Sequence, residues 1–179
     1  MLVSLTLHQF ALIAQHELSV AEGFNVITGE TGAGKSLLLD ALSLCVGERA
    51  DSAMVRHGAA YADIYAQFDV ENNDVVAEWF AKNERSLEEP EVLIRRQLSN
   101  TGRSKAWLNG TPVSLAELKS LGALLVNIHS QHAQQALLKP QFVVQWLDEM
   151  AQITPLAVQT ASSYQAYQQL KRRADDIAS

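Results

Sequence analysis

The 179-residue chain carries 14 basic and 20 acidic residues, a formal net charge of −6 and a 47% hydrophobic content. This describes one domain, or one domain plus an extension, long enough to bury a core. It excludes a protein that engages nucleic acid through its overall charge, so any such contact is local or lies outside this sequence. The single cysteine, Cys45, excludes an intrachain disulfide and reads as a small core residue in a reducing, cytoplasmic setting.

The N-terminus has no basic leader, and polar residues from Ser4 to Glu17 interrupt its apolar character, so neither a signal peptide nor a membrane span is expected. Leu2 to Leu7 alternate, with Leu5 and Leu7 on one face and Ser4 and Thr6 on the other, which predicts a half-buried strand. Phe10 to Val20 is a second strand candidate. Glu22-Gly23 then turns the chain into Phe24-Asn25-Val26-Ile27-Thr28, a short β-branched run expected to be a buried strand.

Gly29-Glu30-Thr31-Gly32-Ala33-Gly34-Lys35-Ser36 follows and fits G-x-x-x-x-G-K-[ST], the Walker A phosphate loop. Glycines let the backbone wrap a phosphate, and successive N–H groups point inward as an anion nest. Leu37 to Val46 is the apolar helix the motif requires, its N-terminus adding partial positive charge, and Gly47 is its natural stop. Lys35 is expected to reach the β- and γ-phosphates and the Ser36 hydroxyl to ligate Mg²⁺.

Gly47 to Ser52 is a polar loop, and Met54 to Gly58 a short element ending in a turn. Arg49 and Arg56 are read as solvated or ion-paired arginines before any contact with nucleotide or DNA. Tyr61 to Val70 predicts a strand. Asp74 is expected to cap a helix through Trp79 and Phe80. After the acidic loop Ser86 to Pro90, Val92 to Leu98 and Ser104 to Leu108 form a hairpin around Ser99-Asn100-Thr101-Gly102, and Asn109-Gly110 signals a type I′ turn. Arg95, Arg96, Arg103 and Lys105 concentrate on this hairpin. It is either an anion or DNA contact or an edge protected by charge. Ser114 and Glu117 form a capping box for a helix ending at Leu121, with Gly122 as its stop. Leu124 to His129 reads as a buried strand opening into the polar loop Ser130 to Gln135, and Lys139-Pro140 starts a helix through Met150. From Leu156 the positions Leu156, Thr160, Ser163, Tyr167, Leu170, Ala174 and Ile177 alternate spacings of four and three. That pattern suits the start of a coiled coil or an ordinary amphipathic helix. The chain stops mid-pattern, as at a cut.

Val143 to Glu149 superficially resembles a Walker B strand, but Gln145 breaks the run and Pro140 starts it in helical fashion. No other apolar run ends in paired carboxylates, no Asn-Lys-x-Asp is present to read guanine, and His129 and His132 lack the company a zinc site needs.

Leu5 to Ile13, Gly29 to Ser36, Gly102-Arg103-Ser104 with Leu108-Asn109-Gly110, and Ile128-His129-Ser130-Gln131-His132, in this order, resemble the RecN family of bacterial DNA repair proteins and, more broadly, the SMC-type ABC ATPases. The resemblance runs from the first residue to about Met150. Gln9 stands where the family usually has Asn before Phe, and Ser130 replaces a common Gly before Gln131.

The resemblance implies an α/β P-loop NTPase of the ABC/SMC head type. Residues 1–150 would be its N-terminal lobe, carrying Walker A, the Q-loop and an antiparallel β subdomain, and residues 151–179 the start of a coiled-coil arm. Gln131 would be the Q-loop glutamine, touching Mg²⁺ and the attacking water. Signature motif and Walker B would lie in a C-terminal half, and ATP would be hydrolysed between two heads of a homodimer. The chain alone should hydrolyse little. DNA and, by resemblance, RecA are the implied partners in double-strand break repair and recombination, with no membrane and a cytoplasmic, nucleoid-associated location. The competing reading is a small P-loop kinase acting on a metabolite, with Arg95, Arg96 or Arg103 as lid arginines. A second is a non-catalytic module whose apolar face drives dimerisation or aggregation.

Overall fold

The computed structural model describes residues 1–30, 34–128, 144, 147, 148, 150, 151 and 153–178. They fall into two compact units, Met1–Ile128 and His129–Ser179. The first unit is built on a six-stranded sheet of β1 (Leu2–Phe10), β2 (Ile13–Ser19), β3 (Tyr61–Asp69), β4 (Glu91–Ser99), β5 (Ser104–Leu108) and β6 (Thr111–Pro112). The order is β2-β1-β3-β4-β5-β6, and every neighbouring pair is antiparallel. The helices are α1 (Lys35–Cys45), α2 (Asp74–Lys82) and α3 (Leu115–Leu125).

Period-2 alternation decides which face is covered. Leu5, Leu7, Ala62, Ile64, Ala66, Phe68, Val92, Ile94 and Leu98 point inward and are fully buried, with Ala41, Leu44 and Cys45 of α1, Val76 and Phe80 of α2, and Leu118 and Leu121 of α3. Each large side chain removed from water in this way contributes about 1.5–3 kcal/mol. The outward face is polar and carries a row through paired residues Thr6, Tyr65, Arg95, Trp107 and Pro112. The Arg95 guanidinium lies 5.5 Å from the Tyr65 ring centre and 4.7 Å from that of Trp107, a cross-strand cation–π stack.

Local signals in the sequence set most element ends. Asn109 (φ 46°) and Gly110 (φ 78°) make the left-handed pair of a type I′ turn between β5 and β6. The capping box at the head of α3 is complete, with Ser114 accepting from Glu117 N–H and Glu117 accepting from Ser114 N–H.

Several expectations need correction. The second strand starts at Ile13, because the chain first turns through Gln9 (φ 51°) and Ala11 (φ 48°), both left-handed. Asn73, not Asp74, caps α2, its side chain accepting from Val76 N–H at 3.2 Å. Gly122 does not stop α3 but lies inside it, where a Cβ would stand 2.6 Å from Val46. On the other side of the same crossing, a Cβ on Gly47 would stand 2.7 Å from the Lys119 backbone. The two glycines let the end of α1 and the middle of α3 touch backbone to backbone.

Two expected buried strands, Phe24 to Thr28 and Leu124 to His129, are absent among the described residues, His129 lying outside them. Phe24 to Thr28 is irregular and open to solvent, and Leu124 and Leu125 close α3 while Val126 to Ile128 run irregularly. A buried strand in an α/β layer needs neighbours on its hydrogen-bonding edges. In the described residues every strand belongs to the antiparallel sheet, and none is left to pair with either run.

In the second unit Val144, Leu147, Asp148 and Met150 are helical, in keeping with the rejection of the Walker B resemblance there. α4 (Thr154–Ala178) spans 25 residues, about 37 Å at 1.5 Å per residue. Along it Leu156, Tyr167 and Leu170 are each more than half exposed.

Candidate functional site

The site is assembled around the N-terminus of α1. The approach to it is held by one side chain. Asn25 donates through Nδ2 to the carbonyls of Ala21 (2.8 Å) and Gly23 (3.2 Å) and accepts from Ala21 N–H at 3.2 Å. On either side of it Phe24 is 93% exposed and Val26 65%, so an apolar edge leads into the glycine loop.

Gly34 is the N-cap of α1 with φ +87°, a conformation in which a side chain on any other residue is strained. The helix has no side-chain cap and no acidic residue in its first turn. Among the described residues, therefore, no side chain caps its positive end and leading N–H groups. Lys35, the first helical residue, turns its ammonium back onto the loop and donates to the carbonyls of Gly29 and of Glu30, the latter at 2.7 Å. Ser36 is exposed in the same turn. Thr31, Gly32 and Ala33, between these anchors, lie outside the described residues, as do Gln131 and the histidines His129 and His132.

The far end of α1 is dry. Cys45 is fully buried, and burial pushes its thiol up to about 12 while the nearby Arg96 charge pulls it down. It is the core residue the sequence suggested.

The hairpin arginines divide. Arg95 is bound to Asp63 through Nε (2.9 Å) and Nη2 (2.7 Å), which raises the affinity of its guanidinium for the proton, and it is sandwiched by Tyr65 and Trp107. Arg96 points to the interior with 0% exposure. Its Nη2 donates to Ser104 Oγ at 3.1 Å, while Nε and Nη1 have no acceptor among the described residues. Burial lowers its affinity for the proton. Neither is available as a lid arginine, which removes the basis of the kinase reading from two of its three residues. Arg103 and Lys105 remain exposed at the hairpin tip. Arg49 is exposed, and Arg56 sits in a turn against β1, its N–H donating to the Gln9 carbonyl at 2.9 Å.

Sequence reasoning missed two positions. Arg96 continues the inward series Val92, Ile94, Arg96, Leu98, a signal visible in the alternation alone. Arg85, which ties the α2–β4 loop to Glu117 at 3.0 Å, left no signal because its partner is remote in sequence. Among the described residues no group of His, Cys, Asp and Glu could hold a metal, and no helix is long and apolar enough to cross a membrane.

The family described as RecF/RecN/SMC N terminal domain matches residues 1–129. The chain is 44% identical over 169 residues to the DNA repair protein RecN of Vibrio cholerae serotype O1, covering 94% of this chain and 30% of that protein. It is 34% identical to the DNA repair protein RecN of Bacillus subtilis, covering 99% of this chain and 31% of that one. It thus spans about 30% of the length of these curated relatives. Among solved structures, the Smc head domain with a coiled coil and joint from Pyrococcus yayanosii superposes with a TM-score of 0.69 at 24% identity, covering 99% of this chain and 36% of that one. An Smc head bound to the C-winged helix domain of ScpA gives 0.58 at 26% identity, covering 69% and 40%. The fold is therefore that of the N-terminal part of an SMC head domain, and the chain belongs to the RecF/RecN/SMC N-terminal domain family.

Proposed function

We propose that this chain is the ATP-binding part of a RecN-like SMC-family ATPase acting in DNA double-strand break repair and recombination in the bacterial cytoplasm, at the nucleoid. The observation that carries the reading is the left-handed Gly34 opening an uncapped helix, with the Lys35 ammonium folded over the loop carbonyls. That arrangement suits an anion nest and little else. In this reading Gly29 to Ser36 cradle the phosphates, Lys35 exchanges the carbonyls of Gly29 and Glu30 for phosphate oxygens, and Ser36 holds Mg²⁺. The exposed Ser36 hydroxyl beside a helix start free of carboxylates fits such a role. Mg²⁺, when bound, neutralises charge on the phosphates. Gln131 orients the attacking water by family resemblance.

Residues 1–150 form the N-terminal lobe and 151–179 the root of a coiled-coil arm. The exposed run Phe24, Val26 and Ile27 supports a missing second half of the head, which would add strands beside it. Hydrolysis then needs that half and a second head of a homodimer; DNA is engaged through the full-length protein, and RecA is a proposed partner.

The test is ATPase activity of the chain with and without a co-expressed C-terminal half, with linear duplex DNA added to each. The expected result is turnover only with both halves, abolished by Lys35→Ala. Full turnover by the chain alone would refute the reading.

A further inference from the structure

The β4–β5 hairpin is electrically polar along its length, with a structural seat at each end. Beside the start of β4 a cavity of about 840 Å³ opens between the α2–β4 loop and the β5–β6 turn. The nearly buried Phe80 and Leu108 border it, and Leu93, 42% exposed, offers it apolar surface. Glu84, Glu88, Glu89 and Glu91 stand around it. Among the described residues Arg85 is the only cation lining the cavity, and it is already committed to Glu117. Glu91 also faces Asp69 directly across the strands, and its carboxylate accepts from Gln67 Nε2 at 2.8 Å, while the N-terminal ammonium donates to the Asp69 carbonyl. Neither carboxylate has an ion pair among the described residues. The other end lies eight residues along β4, roughly 27 Å away. There the turn from Asn100 to Arg103 projects, carrying Arg103 with Lys105 beside it, both exposed and without an ion pair among the described residues.

We propose that the cavity receives the hairpin tip of a second copy of the chain. The stems of Arg103 and Lys105 lie along the exposed Leu93, and their charged ends meet Glu84, Glu88, Glu89 and Glu91. The two surfaces differ, so the contact is heterologous. Each copy keeps one free end, and the assembly grows as a row rather than closing as a pair. One turn in one cavity is a small footprint, so the contact is individually weak and sensitive to salt. It requires nothing of the nucleotide site.

The test is sedimentation velocity of the nucleotide-free full-length protein. Wild type is expected to associate with rising concentration. That association should weaken at least tenfold between about 0.1 M and 1 M salt, where the screening length falls from about 10 Å to 3 Å. Glu88→Lys with Glu89→Lys, and separately Arg103→Glu with Lys105→Glu, should each abolish it. An equimolar mixture of the two double variants should restore it, because each then offers the other a complementary end; restoration also proves that both are folded. The proposal is overturned by a wild type that stays a single species, by either variant associating as wild type does, or by a mixture that stays dissociated. Loss of duplex DNA binding alone in the hairpin variant would assign the tip to nucleic acid instead.

Discussion

Arg96→Met should make the protein more stable. Arg96 is fully buried, and two of its three guanidinium nitrogens, Nε and Nη1, have no acceptor among the described residues. Each buried, unmade hydrogen bond costs about 1–3 kcal/mol, and more for a charged group. The substitution loses one bond to Ser104, a charge-assisted contact of about 1.5–3 kcal/mol. Ser104 is only half-buried and can turn to water. Methionine keeps most of the stem volume, so the residual void costs about 1 kcal/mol. The balance favours the variant by roughly 1–2 kcal/mol, within the range seen when buried charges are replaced by apolar residues of similar size. At this chain length that raises Tm by about 2–8 °C. Chemical denaturation followed by Trp fluorescence would give the free energy, and calorimetry the Tm. Destabilisation beyond about 1 kcal/mol would refute the argument, because it would mean that the two donors have acceptors elsewhere in the protein.

Glu117 carries a pH dependence. Hydrogen bonds from the Ser114 hydroxyl and N–H, with Arg85 beyond them, hold its carboxyl down from 4.5 to about 2. A depressed acid stabilises the fold above its unfolded value, so this contribution is present above about pH 4.5 and is lost as the pH falls toward 2. The side chain is one-third exposed, and solvent screening reduces the effect to about 1 kcal/mol. Urea titrations of wild type and Glu117→Gln should differ by that amount at neutral pH and converge near pH 2; a constant difference would contradict the assignment. Asp63→Ala removes the acceptor of Arg95 Nε and Nη2 and of Gln97 Nε2 and should cost about 1–2 kcal/mol. In a double-mutant cycle most of that loss should vanish in an Arg95→Ala background. Gly122→Ala should destabilise by about 1–3 kcal/mol despite better helix propensity, because the added Cβ meets Val46 at 2.6 Å. A neutral or stabilising result in thermal melts would show that α3 can move off α1 freely.

What was legible in the sequence followed from local chemistry. The alternation of Leu5 and Leu7, the Ser114–Glu117 box and the Asn109-Gly110 turn each contain their own cause within a few residues, and each appears in the structure as read. The glycine loop was legible as a pattern, and the left-handed Gly34 agrees with it. Phe24 to Thr28 and, as far as it is described, Leu124 to Ile128 failed for the opposite reason. Their composition states that they want to be buried in a sheet, but whether they are depends on strands that the described residues do not contain. Gly122 misled because glycine both ends helices and lets them touch. Only the position of Val46, 76 residues away in sequence, separates the two. Arg95 and Arg96 looked alike because the charges were read before the alternation was applied to them.

That adjacency has a consequence for how the sheet finds its register. Between the inward Ile94 and Leu98 stand Arg95, Arg96 and Gln97, the first two identical, and one arginine must face water and the other the interior. A slip of one residue would merely exchange Arg95 and Arg96, so the pair gives no penalty against mispairing. Discrimination rests on Val92, Ile94 and Leu98, which the slip would expose while burying Glu91, Leu93 and Gln97. β4 must also be read correctly by β3 on one side and β5 on the other. The Arg95–Asp63 bond adds nothing to the choice either, because the slip would offer Asp63 the Arg96 guanidinium in its place, and the apolar residues of β4 hold its register.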